Sequence, residues 1–175
     1  MGCSNSKDYS HFQDHKFNNT DYFNFCDKKM IARVVDIHDG DTCVCILNIY
    51  DYYYKFKIRL ADIDTCEITS KNEKNRLLAI KARNKLFNLI THLDIDMGTK
   101  QNKIKDILNE KIYIINIECG NYDKYGRILG WLYDINNTNY NKEESFNYQL
   151  LKCDLAYNYG GNKKLSEEEQ QLALQ

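Results

Sequence analysis

Residues 30–60 carry three β-rich runs with almost nothing between them, and no other stretch limits the fold as much. Residues 30–37 alternate around Ile, Val and Ala, and residues 42–49 and 52–60 repeat the pattern. Such alternation places every second side chain on one face of a strand. The first connection, His38-Asp39-Gly40-Asp41, is turn chemistry, with Gly40 expected to supply a positive φ. An Asp51-centred turn makes the second. Connections this short join antiparallel neighbours, because a parallel crossover needs a dozen or more residues. The chain therefore opens its folded part as an antiparallel meander.

After an acidic loop at residues 62–67, residues 73–93 carry a helical period. Leu78, Ala82, Leu86, Leu89, Ile90 and Leu93 share one face, and Arg76, Lys81, Arg83 and Lys85 fall mostly on the solvated side. Residues 94–109 interrupt the pattern at Gly98 and read as an insertion, with a short helix at 103–108. Residues 111–119 and 127–133 are two further strands around a turn at 120–126. Residues 146–155 form another helix, and Ser166 with Glu169 is a capping box opening a last one. The whole is α+β with a mainly β core. Five strands with intervening helices, about three of them main ones, suit a small closed or partly closed barrel of the OB type. Pattern alone does not separate that barrel from another α+β fold.

The chain of 175 residues has a formal net charge of -1. Binding nucleic acid by bulk charge is thereby excluded, and any grip on phosphate has to be local or aided by a bound cation. The chain contains no proline, so turns and helix ends rest on Gly, Asn and Asp. Its seven cysteines are odd in number and form no C-x-x-C pair, which argues against a zinc site. With no secretory leader and no apolar run of membrane-spanning length, free thiols in a reducing, intracellular setting are expected. The first 28 residues read as a flexible segment, with Phe23 and Phe25 available to pack on a domain spanning 29–175. Its opening Met-Gly-Cys-Ser-Asn-Ser fits N-myristoylation at Gly2, with Cys3 beside it as a palmitate acceptor. Two acyl chains make a durable anchor where one does not, so attachment to the cytoplasmic face of a membrane is the expectation.

Four short segments carry chemistry: Asp39-Gly40-Asp41-Thr42, the run from Arg59 to Glu67, Asp123-Lys124-Tyr125-Gly126-Arg127, and Leu155-Ala156-Tyr157-Asn158-Tyr159. Asp41 and Asp64 follow strands that can be barrel neighbours, so both carboxylates can meet at one rim. Glu67 can reach the same place from its loop. Arg59 and Arg127, at strand ends, can hold phosphate oxygens by paired hydrogen bonds. Oxygen ligands of this kind suit a hard cation. Hydrolysis of a phosphodiester needs such a set: a water nucleophile and cations facing the developing charge. Each segment alone has a plain reading as a tight turn, a surface ion pair or aromatic filler.

In order and context, however, the four segments resemble the staphylococcal nuclease (thermonuclease) family over residues 30–172. Ala79 to Arg83, an Ala-x-x-Ala-Arg run in the first helix, adds to the match. The resemblance implies an OB-fold barrel and one Ca²⁺ ion, held by Asp41, Asp64 and the backbone carbonyl of Thr65. It implies that Glu67 orients or deprotonates the attacking water while Arg59 and Arg127 clamp the phosphate. Asp39 would stand behind Asp41, Lys124 and Tyr125 would touch a neighbouring phosphate, and Tyr157 or Tyr159 would line a base pocket. The implied substrate is DNA, with RNA as a second candidate, cut internally by a monomer. Cys66 departs from the family by replacing a proline, which should loosen the loop between Thr65 and Glu67. Competing readings are a non-catalytic OB module that binds nucleic acid or protein, and a lipid-anchored scaffold. Retention of Asp41, Arg59, Asp64, Glu67 and Arg127 favours the enzyme.

Overall fold

The computed structural model describes residues 8–161 and 163–174. Gly2 and Cys3 lie outside the described residues. The three N-terminal runs form β1 (Lys29–Asp39), β2 (Thr42–Ile49) and β3 (Tyr52–Leu60), each antiparallel to the next. Tyr50 and Asp51 both take positive φ between β2 and β3, which is the backbone of a tight two-residue hairpin. The acidic loop contains a two-residue strand, β4 (Ile63–Asp64). Helices α1 (Glu73–Thr91) and α2 (Gln101–Glu110) follow, then β5 (Tyr113–Tyr122) and β6 (Ile128–Asp134). The chain continues through α3 (Phe146–Lys152), β7 (Tyr157–Asn158) and α4 (Glu167–Ala173).

Strands β1-β2-β3-β6-β5 close into one barrel, with β5 returning antiparallel to β1 and β6 lying parallel to β3. This is the OB-type arrangement. Inward residues alternate along the strands: Ala32, Val34 and Ile37 of β1 meet Cys43, Cys45 and Leu47 of β2, all buried. Ile58, Ile115, Ile117, Ile128 and Leu132 complete the interior. Helix α1 closes one end by burying Leu86, Phe87 and Ile90.

Among the described residues four α-helices are present where about three were expected, because the insertion folds as the full ten-residue α2. It buries Ile104 and Leu108 and mends a defect in β1. Pairing of β1 with β2 slips between Val34 and Asp36. Asn109 of α2 donates to the Val35 carbonyl at 3.1 Å, and Gln101 donates to the Ile37 carbonyl at 2.7 Å. A bulge leaves backbone groups without ladder partners, and α2 supplies them. Two expectations for α1 are corrected. Arg83 is buried, its guanidinium donating to Asn84 and to the Thr99 carbonyl. Leu93 lies beyond the helix, which ends at a left-handed His92, and is exposed.

Gly40 is also corrected, since it does not take a positive φ. Its hydrogen is needed for proximity: a Cβ there would strike the Ala82 Cβ and lie 3.1 Å from both the Ala82 carbonyl carbon and the Thr65 Cγ2. Helix α1 thus sits directly on the β1–β2 turn. The segment before β1 docks by Phe25, which is buried against the rings of Phe56 and Tyr122. No described helix is long and apolar enough to cross a membrane.

Candidate active site

The β1–β2 turn, the end of β3 and the β4 loop converge at one rim of the barrel. Asp41, Arg59, Asp64 and Thr65 are all buried there. Arg59 links the two carboxylates: one terminal nitrogen lies 3.1 Å from Asp41 Oδ2 and the other 2.5 Å from Asp64 Oδ1. Asp41 Oδ2 also accepts from the Thr65 backbone N–H at 3.0 Å and its hydroxyl at 2.9 Å. That contact ties the β1–β2 turn to the acidic loop across 24 residues of sequence. A half-fork guanidinium between two buried carboxylates forms charge-assisted hydrogen bonds whose geometry lysine does not reproduce.

The loop is fixed from its far side by the unpredicted pairing of β4 with β7, in which Asp64 faces Tyr157. The Tyr157 hydroxyl donates to Asp64 Oδ2. Tyr157 is buried and does not line the neighbouring cleft. Burial, and then its bond to Asp64, push its phenol well above the ordinary tyrosine range. Cys66, between Thr65 and Glu67, is buried with Ala79, Tyr157 and Leu174. Burial raises its thiol to about 11.

Lys164 is the residue missing from the sequence-based set. Its Nζ lies 3.2 Å from Asp64 Oδ2 and 2.6 Å from Glu67 Oε1. Burial works against its charge, but the carboxylates of Glu67 and Asp64 hold it protonated above the usual lysine range. Nothing in local sequence marks it, because its partners lie about a hundred residues earlier. Burial also raises the Asp64 carboxyl, with Asp41 adding to it, despite the Tyr157 hydroxyl, Lys164 and Arg59. Asp39 is raised too, chiefly by burial, although His38 Nδ1 sits 2.6 Å from its Oδ2. Arg59 and Lys164 thus link the carboxylates of Asp41, Asp64 and Glu67, and Asp39 stands near enough to Asp41 and Glu67 to feel their charge.

Arg127 reaches this group from the β5–β6 turn. Gly126 takes φ 77°, and the Asp123 carboxylate accepts from the backbone N–H groups of Tyr125 and Arg127. Its other oxygen holds Arg127 Nε at 2.6 Å. One terminal nitrogen of Arg127 then lies 3.5 Å from the Thr42 hydroxyl, which itself donates to Asp41 Oδ1 at 3.0 Å. Lys124 and Tyr125 are at the exposed tip, with Tyr125 flanked by Lys124 and Arg127.

A cleft of about 530 Å³ opens beside Arg59 and Arg127. Tyr125, Leu129, Trp131 and Tyr159 contribute to its walls, and Cys26 and Asp27 form one side. Trp131 donates its indole N–H to Asp62 at 3.0 Å and carries the Lys142 ammonium 3.8 Å above its ring. Behind the strand ends, buried Asn147 of α3 donates to the carbonyls of Ala61 and Gly130 and accepts from Leu132 N–H. It thereby satisfies backbone groups where β3 and β6 part.

Two comparisons with known proteins bear on this arrangement. The family described as staphylococcal nuclease homologue matches residues 57–175. That span begins within β3, so Asp41 and its turn precede it. An uncharacterized protein of Methanocaldococcus jannaschii is 30% identical over 169 residues, covering 96% of this chain and 77% of the relative. Barrel topology, the placing of Arg59, Asp64 and Arg127 around one rim, and the extent of the family match lead to one conclusion: the chain belongs to the staphylococcal nuclease homologues, a nuclease-type family.

Proposed function

We propose that this protein is a Ca²⁺-dependent nuclease that hydrolyses phosphodiester bonds in DNA, and in RNA as well, by internal cleavage. The observation that carries the reading is the Asp41–Arg59–Asp64 group with Arg127 held one residue away through Thr42. Among the described residues, no three His, Cys, Asp or Glu side chains converge to hold an ion by themselves. The donor set nonetheless fits a hard cation. All four carboxylates are oxygen donors, they outnumber Arg59 and Lys164, and burial disfavours the charge of Asp39 and Asp64. Asp41 and Asp64, with the Thr65 carbonyl and water, would hold one Ca²⁺ ion. Such an ion offsets the negative charge of a bound phosphate and lowers the pKa of a water.

The remaining steps belong to side chains. Arg59 and Arg127 bind the phosphoryl oxygens, whose growing charge they stabilise in the transition state. Their separate anchors, Asp64 and Asp123, keep both guanidiniums oriented before substrate arrives, which lowers the cost of ordering them. Glu67, at the exposed end of the loop, takes the proton of the attacking water once Lys164 gives way. The cleft with Tyr125, Trp131 and Tyr159 receives a base by stacking, which tolerates any base identity. The reading extends to anchoring by acylation of Gly2 and Cys3, supported by the opening motif and testable by intact mass after expression in eukaryotic cells. A spectrum showing an unmodified N-terminus would remove that part alone.

The deciding test is cleavage of single- and double-stranded DNA with Ca²⁺ or with EDTA, for the wild type, Glu67→Ala and Arg127→Ala. Cutting that needs Ca²⁺ and falls by roughly a hundredfold or more in each variant is the expected result. A folded wild type that binds DNA without cutting it would establish a binding module instead.

A further inference from the structure

Residues two apart on a strand share a face, about 6.6 Å from each other. Strand β3 therefore places Tyr53, Lys55, Lys57 and Arg59 in one outward row, opposite buried Ile58. Register with β2 sets their partners: Thr42 beside Arg59, Val44 beside Lys57, Ile46 beside Lys55 and Asn48 beside Tyr53. Strand β1 adds Arg33 on the other side of Ile46. Val44 and Ile46 are half-buried, whereas Lys55, Lys57 and Tyr53 stand exposed. Neither lysine joins an ion pair among the described residues. The buried Arg33 Nε has no hydrogen-bond partner. Asp36, on the same side of β1, is already taken by Lys105 at 3.1 Å and Gln101 at 2.6 Å.

Three cations without an ion-pair partner among the described residues, Lys57, Lys55 and Arg33, in line with the paired Arg59, are notable in a chain whose net charge is -1. The row begins at the arginine that grips the scissile phosphate and runs away from it at a spacing of the same order as the phosphate step of an extended nucleic-acid strand. Between the cations lies a low apolar floor, and at the far end an exposed phenol ring. We infer that this outer face of β1–β2–β3 is an extended subsite for a single-stranded segment of the substrate. Successive phosphates leave Arg59 for Lys57 and then for Lys55 with Arg33, and a base stacks on Tyr53. Stacking there needs an unpaired base, which selects a single strand over a duplex. The subsite rests on the nuclease reading for its starting point, yet it makes a binding claim that needs no cleavage.

The test is the Lys55→Ala/Lys57→Ala double variant, with Tyr53→Ala beside it, checked by thermal melting for an unchanged fold. Binding of a fluorescent single-stranded oligonucleotide of about ten nucleotides is followed by anisotropy across a salt series. Each neutralised phosphate contributes about 0.7 to the slope of log affinity against log salt for single strands. The double variant should lose roughly 1.4 from that slope and on the order of tenfold in affinity at physiological salt. Tyr53→Ala should weaken binding without changing the slope. Hydrolysis of a chromogenic nucleotide diester, too short to reach Lys57, should keep wild-type kcat and KM in both variants. Wild-type binding and slope in the double variant would overturn the subsite, and an equal loss on duplex DNA would overturn its single-strand character. Absence of cleavage by any form, with the slope change intact, would refute the nuclease reading and leave this surface standing.

Discussion

Gly40→Ala tests how helix and turn are fitted together at the site. The new methyl group would meet the Ala82 Cβ well inside contact distance, and would press on the Ala82 carbonyl carbon and the Thr65 Cγ2, both at 3.1 Å. Two of these three neighbours belong to α1, so relief requires the helix to move rather than a side chain to rotate. Overpacking of this kind costs about 1–3 kcal/mol, and the upper end applies because the obstacle includes backbone. For a chain of this size ~3 kcal/mol corresponds to a melting point lower by roughly 6–12 °C. Thr65 is one of the displaced groups and bonds Asp41 twice, so nuclease activity should fall by about tenfold or more. The discriminating variant is Ala82→Gly. Alone it costs roughly 2 kcal/mol, from helix propensity and one lost buried methyl. Combined with Gly40→Ala it vacates the volume in dispute. The double variant should therefore lose only ~3 kcal/mol where additivity requires ~5 kcal/mol, a coupling of about 2 kcal/mol measurable by denaturant unfolding. Independent, additive losses, or a Gly40→Ala cost below ~0.5 kcal/mol, would refute the close-approach argument.

Three further outcomes follow from the same geometry. Lys164→Ala removes the cation lodged between Asp64 and Glu67, so calorimetry should show Ca²⁺ binding strengthened by roughly tenfold, equal to ~1.4 kcal/mol; unchanged or weaker binding would contradict competition for the site. In EDTA, Asp39 and Asp64 should make stability fall as pH rises, because carboxyls held above their ordinary 3.8 bind more protons in the folded chain; their contribution is full below 3.8 and lost as pH passes the folded pKa, so Asp64→Asn should flatten the melting-point profile in that window, and an unaltered slope would sink the assignment. Alkylation at pH 8 should modify exposed Cys153 in the folded protein, while Cys66 and Cys119, raised by burial to about 11 and about 12, react only on unfolding; peptide mass spectrometry reads the order.

How far the sequence predicts the structure depends on the range of each interaction. The barrel strands, α1 and the Ser166–Glu169 capping box follow from local period and cap chemistry, and all are present. Asp41, Arg59 and Asp64 come to one rim through the β1–β2 turn, the end of β3 and the acidic loop that carry them, all of which short-range sequence signals predict. The insertion was harder, because α2 buries only Ile104 and Leu108 and draws its purpose from a bulge in a strand some seventy residues earlier. The β4–β7 pair is two residues long and has no period to read. Lys164 carries no mark among many lysines until the chain folds back on Asp64. Burial of Arg83 was hidden for a similar reason, since its acceptor at Thr99 lies in the insertion. With no proline, turns and helix ends rest on Gly, Asn and Asp; among the described residues no Asn takes positive φ, whereas Asp27, Asp51, Asp62 and Asp154 do, as do Gly126 and Gly161. Tyr50, His92 and Tyr140 do so as well, without any compositional cue.

The parallel contact between β3 and β6 has a mechanical consequence. It consists of three residue pairs, Ile58–Ile128, Arg59–Leu129 and Leu60–Gly130, against eight between β2 and β3. This is the barrel's short seam, and Asn147 works as a rivet below it. Arg59 stands in the middle of the seam, and Arg127 stands one residue before its start on the opposite lip. Thermal breathing concentrates where ladders are short and backbone bonds few. The gap between the two guanidiniums is thus the dimension of the barrel most exposed to opening. An anion gripped by both lips pulls the seam closed, so occupancy of the site and closure of the cylinder lie on one coordinate.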